Sequence, residues 1–216
     1  MSTPYGVAVW LYAMDRHPRS ALRAVAAEHL SCGVRWGNGR PPSLTDTSAS
    51  MSISRSRDMS AVAIGRHCRV GVDLEAVRPR ADLPALAELT MGIPERRRWQ
   101  RVPGRDQDLF FYGTWTCKEA VLKALGLGLS VDLEEVDAQL PLRLPLGVWV
   151  PVPVLRLPAR RAEPRSVSVF VANLGSHVAS IAAVDESQRP APLQQFGTTV
   201  AIGRTRRVSF ERSRAL

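Results

Sequence analysis

Short apolar runs alternate with polar turns through the first third of the chain, and their spacing predicts strands. Residues 5–13 form the first run. Val7, Val9, Leu11 and Ala13 alternate there with other apolar residues, as in a buried strand. Residues 20–30 carry the wider spacing of a short amphipathic helix. Gly, Pro, Ser, Thr and Asp dominate 33–50, which reads as loop. Three short strands are expected at 51–54, 60–64 and 70–74, separated by polar turns. After a linker at 79–84, helices are expected around 83–90 and 94–101, the second with Pro94 in its first turn. Residues 131–140, 148–157, 167–173 and 177–184 read as strands. The fold class is therefore α+β, in two halves of similar element order covering 1–78 and 79–187. Beyond residue 188, Pro, Gln, Arg, Ser and Thr take over. That stretch, 188–216, reads as a basic, mostly disordered tail, with a short strand around 198–202 left open.

The longest helical pattern runs over 108–125, and Gly126 is placed to stop it. Trp115, Glu119 and Lys123 fall four residues apart and share one face. One reading is a solvated Glu–Lys pair, worth about 0.3–0.5 kcal/mol. The other is a site, because most of this helix is apolar and a carboxylate beside buried surface needs a cation or a task. A second acidic signal lies at Gly71-Val-Asp73-Leu-Glu75. On a strand Asp73 and Glu75 leave the same face, while Val72 and Leu74 point to the core. Two carboxylates so placed repel unless a cation or proton intervenes. With Glu119 they make an oxygen donor set suited to Mg²⁺, which keeps positions open for water and phosphate. Read alone, such a pair is more often two solvated acids at a strand edge.

The balance of charge is basic, +9 over 216 residues, and Arg supplies nearly all of it. Such a surface attracts anions: nucleic acid, phosphorylated small molecules or an acidic protein. Cys32, Cys68 and Cys117 are far apart and show no metal-ligand or disulfide spacing, which favours a reducing compartment. The N-terminus lacks a basic segment followed by an apolar run and cleavage site. The apolar stretch 140–158 is interrupted by Pro and Arg, so no membrane span is expected. The expectation is a cytoplasmic protein.

Taken in order, Gly71-Val-Asp73-Leu-Glu75 and Trp115-Thr-Cys-Lys118-Glu119-Ala-Val-Leu-Lys123 resemble the 4′-phosphopantetheinyl transferases, whose patterns are Gly-x-Asp-x-Glu and Trp-x-x-Lys-Glu-Ala-x-x-Lys. Length and element order resemble the large monomeric branch, which acts on peptide and polyketide synthetases. The resemblance implies two halves related by a pseudo-two-fold axis. It also implies a reaction: transfer of the 4′-phosphopantetheine arm of coenzyme A to a serine of an apo acyl or peptidyl carrier protein, releasing 3′,5′-ADP. By motif position Asp73, Glu75 and Glu119 would hold Mg²⁺, Glu119 would be general base, and Lys118 and Lys123 would meet phosphate. Met51-Ser-Ile-Ser54-Arg55-Ser56 is similar to the family's Asn-x-Ser-His-Ser segment, with Ser52 replacing Asn and Arg55 replacing His. Ser54 and Arg55 are therefore expected phosphate ligands, Arg55 through a bidentate, permanent charge. Gly39-Arg40-Pro41 resembles a Gly-Lys-Pro element, and Arg23 falls near a phosphate-binding Arg. Both are expected coenzyme A contacts. Leu127 replaces the cation of a usual Gly-Lys-Gly-Leu.

The expected partners are coenzyme A and an apo carrier protein, with no nucleic acid or membrane partner and a monomeric state. Two other classes compete: a Mg²⁺-dependent nucleic-acid-processing enzyme using the same acids, and a basic nucleic-acid-binding protein with the tail as its arm. A recognition module would interleave aromatics with its basic residues. Here aromatics are 6% of the chain and sit mostly among apolar residues.

Overall fold

The computed structural model describes residues 6–13, 33–35, 43–46, 48–128, 131–158, 166–185, 199–200 and 205–211. The helix expected at 20–30 lies outside them, as do Arg23 and Arg40. Early strands are β1 (Gly6–Ala13), β2 (Val34–Arg35), β3 (Ser43–Leu44), β4 (Ala49–Ser56), β5 (Met59–Arg66) and β6 (Arg69–Ala76). The expected loop at 33–50 thus contains the short β2–β3 pair and the start of β4. Helices α1 (Leu83–Thr90), α2 (Ile93–Trp99) and α3 (Gly104–Leu125) follow. Helix α3 starts one turn before the expected residue 108, directly after Pro103. It ends where expected: Gly126 adopts a left-handed φ of 69° and its N–H returns to the Leu122 and Lys123 carbonyls.

The later strands are β7 (Asp137–Ala138), β8 (Trp149–Val152), β9 (Val154–Arg156), β10 (Ser166–Asn173) and β11 (His177–Asp185). The single strand expected at 131–140 is instead a short 3₁₀ turn, Leu133–Glu135, and two residues of β7. The run at 148–157 is split at Pro153, which has no N–H for a ladder. Two further strands follow, β12 (Thr199–Val200) and β13 (Thr205–Glu211). Strand β12 falls within the 198–202 stretch left open, β13 is not among the expected strands, and the rest of 188–216 lies outside the described residues. Arg-rich composition hid a Val208-Ser209-Phe210 alternation, and β13 pairs antiparallel along β1 from Gly6↔Glu211 to Tyr12↔Thr205.

The strands form two larger antiparallel sheets, ordered β12-β13-β1-β5-β4 and β6-β11-β10-β8. Sheet membership does not follow a division at residue 78, since β6 pairs with β11 and β13 with β1. One core lies between the sheets and includes Val9, Ala61, Ala63, Val70, Val72, Leu74 and Ile181. The other surrounds α3, through Phe110, Phe111, Ala120, Val121, Val169 and Val178. Alternation along β6 therefore sends Val72 and Leu74 into the first core and turns Gly71, Asp73 and Glu75 toward α3. Among the described residues no helix is long and apolar enough to cross a membrane.

Gly71 sets the distance between helix and sheet. A Cβ there would lie 1.9 Å from the Ala120 carbonyl oxygen and 2.6 Å from the Ala124 nitrogen. Both clashing atoms are backbone, so no side chain can swing aside. Gly71→Ala should cost at least about 2 kcal/mol in urea unfolding, or block folding, because overpacking at a close contact is destabilising. At Gly104, where an added Cβ would meet nothing within 4 Å, the same change should shift stability by less than about 1 kcal/mol. Equal effects at both positions would show that the close approach is dispensable.

Candidate functional site

Three elements converge where β6 meets α3 and β4. Strand β6 contributes Asp73 and Glu75, and α3 contributes Glu119 and Lys123. Strand β4 contributes Ser54 and Ser56. The rotation of α3 on the sheet is fixed by Thr116, whose hydroxyl meets that of Ser180 on β11 at 2.7 Å, both buried. Ala120 and Lys123 follow on the same face, four and seven residues on.

Lys123 Nζ donates to Asp73 Oδ1 at 2.6 Å and to the Val72 carbonyl at 3.2 Å. The sequence allows a Glu119–Lys123 surface pair; the ammonium turns instead to Asp73. Asp73 Oδ1 also accepts the Ser54 hydroxyl at 2.8 Å, and Glu75 Oε2 accepts that of Ser56 at 2.9 Å. Asp73 Oδ2 and Glu119 Oε1 are buried with no hydrogen-bond partner. Burial pushes the Asp73 carboxyl up, against the pull of Lys123 and Ser54. Burial also raises Glu75 and Glu119, and the charge of Asp73 raises both further. Three acids with raised pKa values and two bare oxygens form an environment short of positive charge. That hard-oxygen donor set fits a divalent cation. Among the described residues no three such side chains already converge as a metal-holding group, and the Lys123 ammonium provides the local cation.

Beside Glu75 opens a cleft of about 350 Å³. Leu86, Phe111 and Trp115 give it an apolar wall, and Arg57 and Arg78 stand on its rim. The ring of Trp115 is half-buried and tilts on Phe111 at a centroid distance of 6.2 Å.

Lys118 requires a correction. The family pattern makes it a phosphate ligand, yet its side chain is fully buried and donates to Glu95 Oε2 at 2.5 Å and to the Thr90 carbonyl at 2.7 Å. Glu95 accepts as well from Gly92 N–H and Ala138 N–H, each at 2.9 Å. One buried ion pair thus joins the end of α1, the start of α2, β7 and the middle of α3. Burial pushes Glu95 up and Lys118 down, and each charge pulls the other back. Sequence reasoning passes over Glu95. Its signal is local: a Glu three residues after Gly92, in position to bond back to that N–H at a helix start.

Ser54 and Arg55 do not act as a pair. Alternation sends them to opposite faces of β4, and Arg55 is exposed. The Ser54 hydroxyl donates to Asp73 and accepts from Leu74 N–H at 3.2 Å. Cys117 is a buried thiol pushed up to about 12, so it is no nucleophile.

Residues 69–146 match the family model described as the 4′-phosphopantetheinyl transferase superfamily. The chain is 35% identical over 89 residues to the 4′-phosphopantetheinyl transferase HetI of Nostoc sp., covering 41% of this chain and 37% of that protein. It is 33% identical over 115 residues to the 4′-phosphopantetheinyl transferase psf-1 of Bacillus pumilus, covering 50% and 48%. The match thus spans half or less of these relatives' length. A holo-(acyl-carrier-protein) synthase from Bacillus anthracis, solved in complex with CoA (3′,5′-ADP), aligns with a TM-score of 0.44 at 17% identity, over 55% of this chain and 96% of that one.

Two measurements probe this geometry. Lys118→Met leaves Glu95 buried and unpaired and should cost about 3–5 kcal/mol in urea unfolding. Adding Glu95→Gln should recover part of that loss; no recovery would mean the pair is not the tie. For Glu119 the raised pKa sets the sign: its contribution is full below the ordinary carboxyl range and is lost as pH rises through the raised value. Glu119→Gln removes that loss. In metal-free buffer its melting temperature should exceed wild type's by a margin that widens as pH rises above the ordinary carboxyl range. A margin independent of pH would contradict the buried charge.

Proposed function

We propose that this chain is a member of the 4′-phosphopantetheinyl transferase superfamily, which its match over residues 69–146 and its similarity to two such transferases support, and that it moves the 4′-phosphopantetheine arm of coenzyme A onto a serine of an apo carrier protein. The observation that carries this reading is the Lys123–Asp73 ion pair with the bare buried oxygens Asp73 Oδ2 and Glu119 Oε1, and Glu75 on the wall of the neighbouring cleft. The serine oxygen attacks the phosphorus that bears the pantetheine arm. The new O–P bond forms as the pyrophosphate bridge to that phosphorus breaks, and 3′,5′-ADP departs.

Asp73, Glu75 and Glu119 would hold a Mg²⁺ ion, which supplies charge to the pyrophosphate oxygens and orients them. A serine hydroxyl is a weak nucleophile and needs a base within hydrogen-bond reach. Glu119 suits that task. Its raised pKa brings it closer to working pH, and Oε1 has no competing donor. Lys123 is partly exposed on the same face, able to leave Asp73 for a phosphate oxygen once another cation takes that acid. The Phe111–Trp115 wall suits the apolar stretches of the arm, and the Arg57–Arg78 rim suits an acidic carrier surface. The carrier and its pathway, the cytoplasmic setting and the monomeric state are parts of this proposal.

The deciding experiment is mass spectrometry of apo acyl and peptidyl carrier proteins incubated with coenzyme A and Mg²⁺. The expected result is a gain of one phosphopantetheine arm that disappears with chelator. No gain on several carriers, with the protein shown to be folded, overturns the reading. Glu119→Gln should reduce turnover at least about a hundredfold, the scale of losing a general base, while coenzyme A binding by calorimetry changes far less.

A further inference from the structure

Strand β6 is bonded along one edge to β11, in a register that runs from Arg69↔Val184 to Ala76↔His177. Among the described residues its other edge has no strand in ladder pairing. A bare strand edge presents N–H groups that must find acceptors. They find serine side chains. Val72 N–H donates to Ser52 Oγ at 3.0 Å, Leu74 N–H to Ser54 Oγ at 3.2 Å, and Ala76 N–H to Ser56 Oγ at 3.0 Å. The three serines occupy every second position of β4, so they leave one face and meet every second amide of β6. At one end Ser50 donates to the Cys68 carbonyl at 2.8 Å. This row of hydroxyls joins the edges of the two large sheets.

A hydroxyl whose oxygen is held by a backbone amide has a restricted direction left for its own hydrogen. At Ser54 that hydrogen goes to Asp73 Oδ1, and at Ser56 to Glu75 Oε2. Each serine thus accepts from one residue and donates to the carboxylate of the residue before it. Ser52 follows the same spacing opposite Gly71, which has no carboxylate to meet. The acids are gripped by one oxygen each. In Asp73 that grip and the Lys123 ammonium both fall on Oδ1, and Oδ2 is left buried and bare.

We infer that Ser54 and Ser56 are positioning residues for the divalent-cation site, holding one oxygen of Asp73 and of Glu75 so that the other faces the ion. The inference rests on the transferase reading. It assigns these serines a role in holding the acids, in place of direct contact with coenzyme A. Outer hydrogen bonds of this kind orient a ligand carboxylate before the metal arrives, and their loss weakens metal binding about 10- to 100-fold.

The test compares two variants of nearly equal shape. Ser54→Thr keeps the hydroxyl; Ser54→Val replaces it with a methyl. The same pair is made at Ser56. Mn²⁺ binding to the full chain is measured by the loss of the free-ion signal in electron paramagnetic resonance, with urea unfolding alongside. The expected result is Mn²⁺ binding at least about tenfold weaker in each Val variant and within about threefold of wild type in each Thr variant. The transfer assay should show a raised Mn²⁺ requirement in the Val variants, with little change in KM for coenzyme A. Val variants that lose stability but bind Mn²⁺ as wild type does would reduce the serines to seam residues and overturn the inference. A raised KM for coenzyme A with unchanged Mn²⁺ affinity would overturn it too, by returning Ser54 to phosphate contact. Wild-type protein that transfers the arm without binding Mn²⁺ would sink this inference alone; protein that does neither would sink the transferase reading with it.

Discussion

The close contact between β6 and α3 at Gly71 is the constraint on which the rest depends. Two acids on a strand and an acid and a lysine on a helix can share one small volume only if the backbones nearly touch. Gly71 permits this because any Cβ would strike the carbonyl of Ala120. The helix is then held on two sides near its middle. Thr116 meets Ser180 beneath it, and Lys118 reaches Glu95 on its other side. Glu119 follows directly after these ties and is buried. The site therefore keeps repelling carboxylates together at a standing cost, offset by packing around them.

The same helix separates two lysines that look alike in sequence. Lys118 and Lys123 differ by five residues, so they leave opposite sides of the helix. Lys118 enters a closed network with Glu95, Thr90, Gly92 and Ala138 in reach of the same pair. Lys123 stays partly in solvent, where its partner can change. One cation is structural because every bond it makes is internal. The other is free to act because its chief contact is to a group that a different cation could claim.

Much of this is legible in the sequence. The alternation at 70–74 places Val72 and Leu74 inward and Asp73 and Glu75 together, and the apolar face of 108–125 with Gly126 indicates a helix of nearly the right length. Local periodicity reports such features faithfully. It is silent on Lys118, because the deciding partner, Glu95, belongs to a different helix. It is silent on Ser54, because the row of serines gains meaning only when the edge of another sheet lies against it. Composition misleads at the end of the chain: counting arginines over 188–216 conceals that β1 has a second edge to be paired. Pro153 is visible, and a ladder that lacks its N–H turns one expected strand into two.

The hairpin joining β4 to β5 turns at Arg57 and Asp58, with Arg57 at a left-handed φ of 50°. That turn sets which residues of β4 face β6. Slipping the strand by one position would bring Ile53 and Arg55 to the seam in place of the serines. An apolar branch and a guanidinium cannot accept from amides, so the sheets would lose their join and both acids their grip. The length of a short exposed loop is thus part of the chemistry. For this chain a one-residue insertion or deletion there is as consequential as replacing an acid itself.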